Sequence, residues 1–288
     1  MITDIFNSTI IKTSQLLQLK QSNQKITIVD VSNEKDSFGD FKKSHLENSI
    51  IVSLNDNLVD PSIDILDGGR HPLPEISIFI KYLESIGINE STPVVIYDRK
   101  NGANAAARFW WMLKAVGLRQ IFVLDGGFQE AERLGYPMSK EITIAKETKF
   151  QVKVEKWLLP LVTIDDVANA SKSGDYIIVD VREESRYSGE QEPIDAIAGH
   201  IPSAINIPFK GNLDKNGYIL SPQQLLNHYS PHLKDTSSER IIFHCGSGVT
   251  ACYSLLAMHV AGYDIPNLFV GSWSQWSRSG GRIEVGFE

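Results

Sequence analysis

The predicted fold centres on the stretch Arg240-Ile241-Ile242-Phe243-His244-Cys245-Gly246-Ser247-Gly248-Val249-Thr250-Ala251-Cys252. Its pattern predicts a short apolar strand, a loop that begins at a cysteine, and the first turn of a helix. Two glycines at alternate loop positions allow the backbone to curl, so that successive N–H groups point at one atom. That atom is the sulfur of Cys245, and the positive end of the following helix adds to the field there. Such surroundings lower a cysteine pKa from about 8.5 to roughly 3.5–7.5, so we expect a thiolate nucleophile or a seat for an anion on sulfur.

The length and charge of the chain limit its architecture and partners. A chain of 288 residues suggests about two domains, each large enough for its own core. Its formal charge is −7, from 28 Lys and Arg against 35 Asp and Glu. No basic surface is therefore expected to attract nucleic acid or an anionic membrane. No segment approaches the roughly 18 apolar residues of a membrane span, so we expect a cytoplasmic protein without a membrane partner.

We expect the two cysteines to form neither a disulfide nor a metal site. Cys245 and Cys252 are separated by a loop and the start of a helix, where a disulfide would distort both elements. They lack CxxC spacing, and the seven histidines are scattered along the chain. We therefore expect reduced thiols, no metal and no cofactor.

The two halves of the chain repeat one order of motifs. The apolar run that ends at Asp30-Val31 is matched by the run that ends at Asp180-Val181, and the run that ends at Asp98 is matched by the one that ends at Cys245. Such self-similarity indicates a duplicated domain. Each half alternates short β-rich runs with helical stretches, which predicts an α/β fold: a parallel sheet flanked by helices on both faces.

The repeat also predicts domain boundaries and roles. We assign residues 1–140 to a non-catalytic domain, residues 141–156 to a linker and residues 157–288 to the catalytic domain. Asp98 occupies the position that matches Cys245, so the first half lacks the thiol nucleophile. Ligands of open parallel sheets lie beyond the carboxyl ends of the strands, so the site is expected at a sheet edge that faces the first domain.

The loop Cys-Gly-Ser-Gly-Val-Thr-Ala that starts at Cys245 resembles the active-site loop of the rhodanese superfamily, in detail that of its 3-mercaptopyruvate sulfurtransferases. The resemblance covers nearly the whole chain and implies two tandem rhodanese-like domains. It also implies an enzyme that moves sulfur from 3-mercaptopyruvate, through a Cys245 persulfide, to an acceptor while pyruvate is released. The implied acceptor is a thiol, such as a reduced thioredoxin-like protein or a small thiol, or cyanide. The other loop residues implied to bind the donor are Gly246, Gly248, Val249 and Thr250.

The resemblance further implies a proton relay. Ser247 is placed in the loop to touch the donor thiol, if a base stands behind it. The segment Arg-His-Pro-Leu-Pro around His71 resembles the family's histidine-bearing loop, and the segment around Asp56 resembles its aspartate-bearing loop. The implied relay lies across the domain interface and consists of Ser247, His71 and Asp56. Two neighbours, Asn55 and Asp60, remain alternatives for the aspartate.

Arginines are the expected donor-binding cations. Arg186, in Arg-Tyr-x-Gly, matches the family's substrate arginine; without that match it would be interpreted as a solvated charge paired with Glu190. Arg182 is the second candidate, although it is better placed to support the strand end or an acidic neighbour. The family's mercaptopyruvate enzymes often carry another arginine directly after a Glu-Pro pair. In this chain Ile194 stands there, which weakens the expected carboxylate clamp.

Three alternatives remain open. Thiosulfate-using relatives carry cations at the two loop positions that here hold Gly246 and Ser247. A pair of opposite unit charges about 4 Å apart attracts by roughly 4 kcal/mol at an effective dielectric constant of about 20, so the absence of these cations disfavours binding of the thiosulfate dianion. A thiosulfate sulfurtransferase is therefore the runner-up. A Cys-dependent phosphatase needs an arginine where Ala251 stands. A non-catalytic module that binds an anion or sulfur is the third, and persulfide formation with a donor would exclude it.

Overall fold

The computed structural model describes residues 8–22, 24–32 and 36–287, which form two compact units. Unit 1 comprises Met1–Leu58, Pro74–Leu158 and Gly217–Ile219, and unit 2 comprises Val59–Leu73, Leu159–Asn216 and Leu220–Glu288. The first seven residues of the predicted non-catalytic domain lie outside the described residues. The boundaries 1–140, 141–156 and 157–288 stay a proposal about which segments fold independently.

The strands of the described residues are short. In chain order they are β1 (Ile10–Ile11), β2 (Thr27–Ser32), β3 (His45–Leu46), β4 (Ser49–Ser53), β5 (Val94–Tyr97), β6 (Ile121–Leu124), β7 (Met138–Ser139), β8 (Ile177–Asp180), β9 (Ile205–Asn206), β10 (Ile241–His244) and β11 (Asn267–Leu268).

The helices of the same residues alternate with these strands. They are α1 (Thr13–Gln21), α2 (Ser37–Lys43), α3 (Leu54–Asn57), α4 (Ile65–Gly68), α5 (Ile76–Ser85), α6 (Ala105–Ala115), α7 (Gly127–Arg133), α8 (Ile164–Ser173), α9 (Glu184–Tyr187), α10 (Pro222–Leu233), α11 (Thr250–Val260) and α12 (Ser272–Trp276). Short 3₁₀ turns lie at Phe209–Asn212 and Ser238–Arg240. None of these helices, in the described ranges, is long and apolar enough to cross a membrane.

Unit 1 is built on a parallel sheet of five strands in the order β1-β6-β5-β2-β4. The inner strands β5 and β6 are apolar and fully buried, as expected for a parallel sheet flanked by helices. Helix α6 packs against this sheet, and its Trp110 and Trp111 side chains are buried. Both tryptophans therefore belong to the core of unit 1.

Unit 2 repeats the arrangement with a parallel sheet in the order β11-β10-β8-β9. This order corresponds to β6-β5-β2-β4 of unit 1, which confirms the duplication that the sequence predicts. Helix α11, which follows β10 after the cysteine loop, is almost wholly buried. The expected α/β fold, with a parallel sheet and helices in each of two units, is confirmed.

Matching strands of the two units contain a buried aspartate, but only one of the two aspartates has an arginine two residues further along the chain. Burial raises the pKa of Asp180, yet the guanidinium of Arg182, with Nη2 2.6 Å from Oδ2, outweighs it and the pKa falls below its ordinary value. In β2 the matching Asp30 is followed by Ser32 instead of an arginine. Its ion pair is with Arg99, at 3.5 Å, and burial raises its pKa to about 6.

This contrast predicts that Asp30→Asn stabilises unit 1 more at pH 8 than at pH 5. The folded chain holds the Asp30 proton more tightly than the unfolded chain, so wild-type stability falls as the pH rises from about 4 through about 6. A shift of about 2 pKa units corresponds to at most roughly 3 kcal/mol. The thermal midpoint of the variant, measured at both pH values against the exposed control Glu132→Gln, tests this; an equal gain at both pH values would contradict it.

Candidate active site

The loop between β10 and α11 turns sharply at Gly248. This glycine has a φ of +72°, and a Cβ atom built on it would lie 2.6 Å from the carbonyl oxygen of Val270. A side chain at this position is therefore excluded by conformation and by contact. The turn directs the backbone N–H groups of the loop inward, as the sequence predicts.

Helix α12 fixes the same loop from outside. The N–H groups of Trp273 and Ser274 donate hydrogen bonds of 2.9 Å to the carbonyl oxygens of Cys245 and Gly246, respectively. The N–H of Cys245 donates to the hydroxyl of Ser272 at 3.2 Å. Because the outward carbonyls are satisfied by this helix, the inward N–H groups stay directed at the sulfur.

The Cys245 sulfur is buried and surrounded by donors. Cys245 directly follows β10 and is only 2% exposed. Burial by itself raises the pKa of this thiol, but hydrogen bonds to the sulfur outweigh burial and lower the pKa below its ordinary value. The donors are the Thr250 hydroxyl and the backbone N–H groups of Ser247, Val249 and Ala251. The loop therefore stabilises a negative charge on sulfur.

Cys252 has a different environment. It lies fully buried in α11, and its Sγ is 3.3 Å from the carbonyl oxygen of Gly248. Both cysteines are free thiols in the structure. Cys252 thus fits a packing role in which its weak S–H donor satisfies one loop carbonyl.

Ser247 and His71 meet within unit 2. The Nδ1 atom of His71 lies 2.8 Å from the hydroxyl oxygen of Ser247, a hydrogen-bond distance. His71 comes from the first half of the sequence, but its segment, Val59–Leu73, packs as part of unit 2. With Nδ1 unprotonated, the imidazole accepts the hydroxyl proton, which is the geometry of a general base behind a hydroxyl.

The third member of the predicted relay stays a prediction. Asp56 is an exposed residue of α3 in unit 1. The alternative, Asp60, belongs to unit 2, where its N–H donates to the carbonyl oxygen of Pro72 at 3.2 Å. The carboxylate of Asp60 accepts hydrogen bonds of 2.9 and 2.6 Å from the N–H and hydroxyl of Ser62.

Two hydrogen bonds hold the segment Val59–Leu73 on α12. The N–H of Arg70 donates to the hydroxyl of Ser274 at 3.0 Å, and the side-chain amide of Gln275 donates to the carbonyl oxygen of Leu66 at 2.8 Å. Since α12 also fixes the cysteine loop, one helix positions both the base and the nucleophile.

Gly69 allows this close approach. Its φ is +73°, and a Cβ atom there would lie 2.3 Å from the carbonyl oxygen of Gly271. Any side chain would force the segment away from α12. The placement of His71 therefore depends on this glycine.

Arg186 and Arg182 have different surroundings. Arg186 donates to both carboxylate oxygens of Glu192 at 2.7–3.1 Å, so its partner is Glu192 and not the Glu190 that helical spacing suggests. Arg182 donates to Asp180, to Glu192 and to the carbonyl oxygen of Gly199. Its side chain is 1% exposed, which fits support of the strand end.

Sequence reasoning missed a second arginine at the cysteine loop. A Cβ atom built on Gly246 would lie 3.1 Å from Nη2 of Arg70 and 3.4 Å from Nη2 of Arg186. Two guanidinium groups therefore stand beside the first loop residue after the nucleophile. The sequence could have indicated Arg70 only through its position directly before His71. The direction of the Arg70 side chain depends on the packing of unit 2.

The matching loop of unit 1 is filled by its own anion. The carboxylate of Asp98 accepts four backbone hydrogen bonds of 2.7–3.1 Å. The donors are the N–H groups of Lys100, Gly102, Asn104 and Ala106. Burial raises the pKa of Asp98 and the four backbone N–H groups oppose that rise; that unit 1 carries no sulfur stays a prediction.

The duplicated sheet and the donor-lined cysteine define a class of α/β proteins that can hold sulfur as a charged adduct on cysteine. Two stretches of the chain, residues 13–133 and 163–279, match the family described as the Rhodanese-like domain. The chain belongs to this family, which confirms the resemblance found in the sequence.

Relatives of both donor types are similar to this chain. A probable 3-mercaptopyruvate sulfurtransferase of Pseudomonas aeruginosa is 33% identical over 273 residues, covering 92% of this chain and 93% of the relative. A putative thiosulfate sulfurtransferase, SseB, of Mycobacterium tuberculosis is 33% identical over 279 residues, covering 93% of each. The solved 3-mercaptopyruvate sulfurtransferase from Leishmania major is 27% identical with a TM-score of 0.79, covering 94% of this chain and 74% of that structure.

The contact at Gly69 predicts that Gly69→Ala loosens the segment Val59–Leu73. If the clash weakens docking by about 1.4 kcal/mol, limited trypsin cleavage at Arg70 should accelerate about tenfold, because cleavage follows the open population. The control is Gly174→Ala, which also places an alanine at a positive φ of +71°, but with no atom within 4 Å of the added Cβ and therefore without the clash. Equal cleavage rates in the two variants would contradict this role.

Proposed function

We propose that this protein is a rhodanese-type sulfurtransferase that moves sulfur from 3-mercaptopyruvate to a thiol or cyanide and releases pyruvate. The observation that carries the proposal is the hydrogen bond between Ser247 and His71 beside the donor-lined sulfur of Cys245. A donor that bears a thiol must lose a proton when its sulfur leaves, whereas thiosulfate has no such proton. Relatives named 3-mercaptopyruvate sulfurtransferase support this reading.

The first half-reaction follows from these groups. The Cys245 thiolate attacks the donor sulfur, an S–S bond forms, and the C–S bond breaks with its electron pair left on carbon as pyruvate enolate. Ser247 accepts the donor thiol proton and passes its own to His71; the relay then returns a proton to the enolate carbon. Asp56 is proposed as the residue that orients His71, with Asn55 and Asp60 as alternatives.

The product on the enzyme is a persulfide anion held by the loop. The donors that lower the thiol pKa also stabilise charge on the outer sulfur when the backbone N–H groups can reach it. In the second half-reaction an acceptor thiolate or cyanide attacks the outer sulfur, and the Cys245 thiolate leaves. Small-molecule sulfur donors and acceptors are implied by the family; a reduced thioredoxin-like acceptor and a cytoplasmic location are proposals.

The cysteine loop and the nearby arginines are proposed to contact different parts of the donor. Arg186, which is partly accessible, is proposed to bind the donor carboxylate, while Arg182 braces the strand end through its internal partners. Gly246 lets the guanidinium groups approach the loop backbone closely, and the turn of Gly248 to Thr250 lines the sulfur.

Thiosulfate is the second candidate donor. The loop itself is neutral, but the guanidinium groups of Arg70 and Arg186 beside Gly246 supply positive charge from other segments. Relatives named thiosulfate sulfurtransferase agree with some capacity for this dianion. A Cys-dependent phosphatase is disfavoured by Ala251 at the position of the required arginine.

The nucleophile assignment predicts that Cys245→Ser loses all sulfur transfer, while Cys252→Ser keeps most of it because its thiol only packs. After treatment with mercaptopyruvate, mass spectrometry should show an adduct of one sulfur atom, about 32 Da, on Cys245. An adduct confined to Cys252, or full activity of Cys245→Ser, would refute the assignment. Absence of any adduct on active-site peptides would favour a binding module.

The relay predicts a donor preference. Mercaptopyruvate should exceed thiosulfate in kcat/KM by at least about tenfold, or roughly 1.4 kcal/mol in transition-state stabilisation. Ser247→Ala and His71→Gln should each slow the mercaptopyruvate reaction far more than any thiosulfate reaction, because only the former needs the proton transfer. Steady-state kinetics with both donors under identical conditions decides this: a wild-type preference for thiosulfate, or equal losses for both donors, counts against it.

A further inference from the structure

Arg70 lies beside the cysteine loop together with Arg186. Measured from the Cβ position of Gly246, their nearest guanidinium nitrogens are at 3.1 and 3.4 Å. Both side chains keep some accessibility, at 24% for Arg70 and 13% for Arg186. The space above Gly246, one residue from the nucleophile, is thus bordered by two cations that a small anion can reach.

A buried carboxylate holds these cations in place. Asp195, whose side chain is fully buried, forms ion pairs with Arg70, with Arg186 at 3.4 Å and with Arg278 at 2.9 Å. Because one carboxylate is shared by three guanidinium groups, it orients all of them but cannot neutralise all of them. The preceding residue, Ile194, is 58% exposed and offers no charge.

The cations of this cluster differ in accessibility. They are Arg70, Arg182, Arg186 and Arg278, and they face the carboxylates of Asp180, Glu192 and Asp195 and the thiolate of Cys245, whose charge acts on Arg182. Arg182 is enclosed by internal partners. The accessible guanidinium groups that lie beside Gly246 are those of Arg70 and Arg186, so these two are the cations that a donor carboxylate can reach next to the loop.

We propose that Arg70 binds the carboxylate of the sulfur donor together with Arg186, and so supplies the cation that Ile194 does not. Two guanidinium groups suit the two oxygens of a carboxylate, since each presents paired N–H donors in a plane. Arg70 directly precedes His71, so one docked segment delivers both a donor-binding cation and the base of the relay. This inference rests on the proposed function and names a specificity-determining residue for it.

Binding without turnover tests the inference directly. In a Cys245→Ser background, which lacks the nucleophile, calorimetric titration with mercaptopyruvate should give a Kd at least about tenfold weaker when Arg70→Ala is added. Arg70→Lys, which keeps the charge without the fork, should fall between the two. The matched control is Arg282→Ala, which also removes one positive charge of unit 2, from a side chain that is 80% exposed.

Steady-state kinetics of Arg70→Ala with Cys245 intact distinguish a loss of donor binding from damage to the fold. Arg70→Ala should raise the KM for mercaptopyruvate at least about tenfold and leave kcat within about threefold, whereas displacement of His71 would lower kcat. An unchanged Kd and KM in Arg70→Ala would overturn the inference while the proposed function stands. An effect confined to thiosulfate would also overturn it. If wild-type protein neither binds nor turns over mercaptopyruvate, the proposed function itself fails.

Discussion

The hydrogen bonds that converge on the sulfur of Cys245 are the interaction on which the rest of the site depends. A buried thiol would otherwise hold its proton, because burial raises its pKa. Most of the opposing donors are backbone groups, so their direction is set by the turn at Gly248 and by the hydrogen bonds from α12 to the loop carbonyls. The fold itself thus lowers the pKa of this thiol, and in the proposed mechanism Ser247 and His71 need only handle the proton of the donor.

The two units use the same loop in two ways. In unit 1 the carboxyl group of Asp98 occupies the ring of N–H groups, while in unit 2 the ring surrounds Cys245, the proposed carrier of sulfur. Buried N–H groups without acceptors cost about 1–3 kcal/mol each, so a loop of this shape needs an acceptor at its centre in both units. Replacement of the cysteine by an aspartate in unit 1 is therefore compatible with retention of the loop's architecture.

The sequence predicted those parts of the structure whose geometry depends only on residues that are close together in the chain. The apolar runs, the repeat and the glycine-bracketed loop predicted the parallel sheets and the surroundings of Cys245. Contacts brought about by packing could not be predicted in this way: Arg186 pairs with Glu192 instead of Glu190, and Arg70 reaches Gly246 because Val59–Leu73 docks on α12. The orienting carboxylate of the relay depends on similar packing, and sequence left Asp56, Asn55 and Asp60 open.

The most direct measurement is the pKa of the Cys245 thiol. Ultraviolet absorbance of the thiolate can be followed against pH in Cys252→Ser, so that Cys245 is the single cysteine that titrates. The ring of donors predicts a midpoint clearly below the ordinary cysteine value of about 8.5. A midpoint at or above that value would show that burial dominates, and would contradict the proposal that this loop prepares Cys245 to carry sulfur.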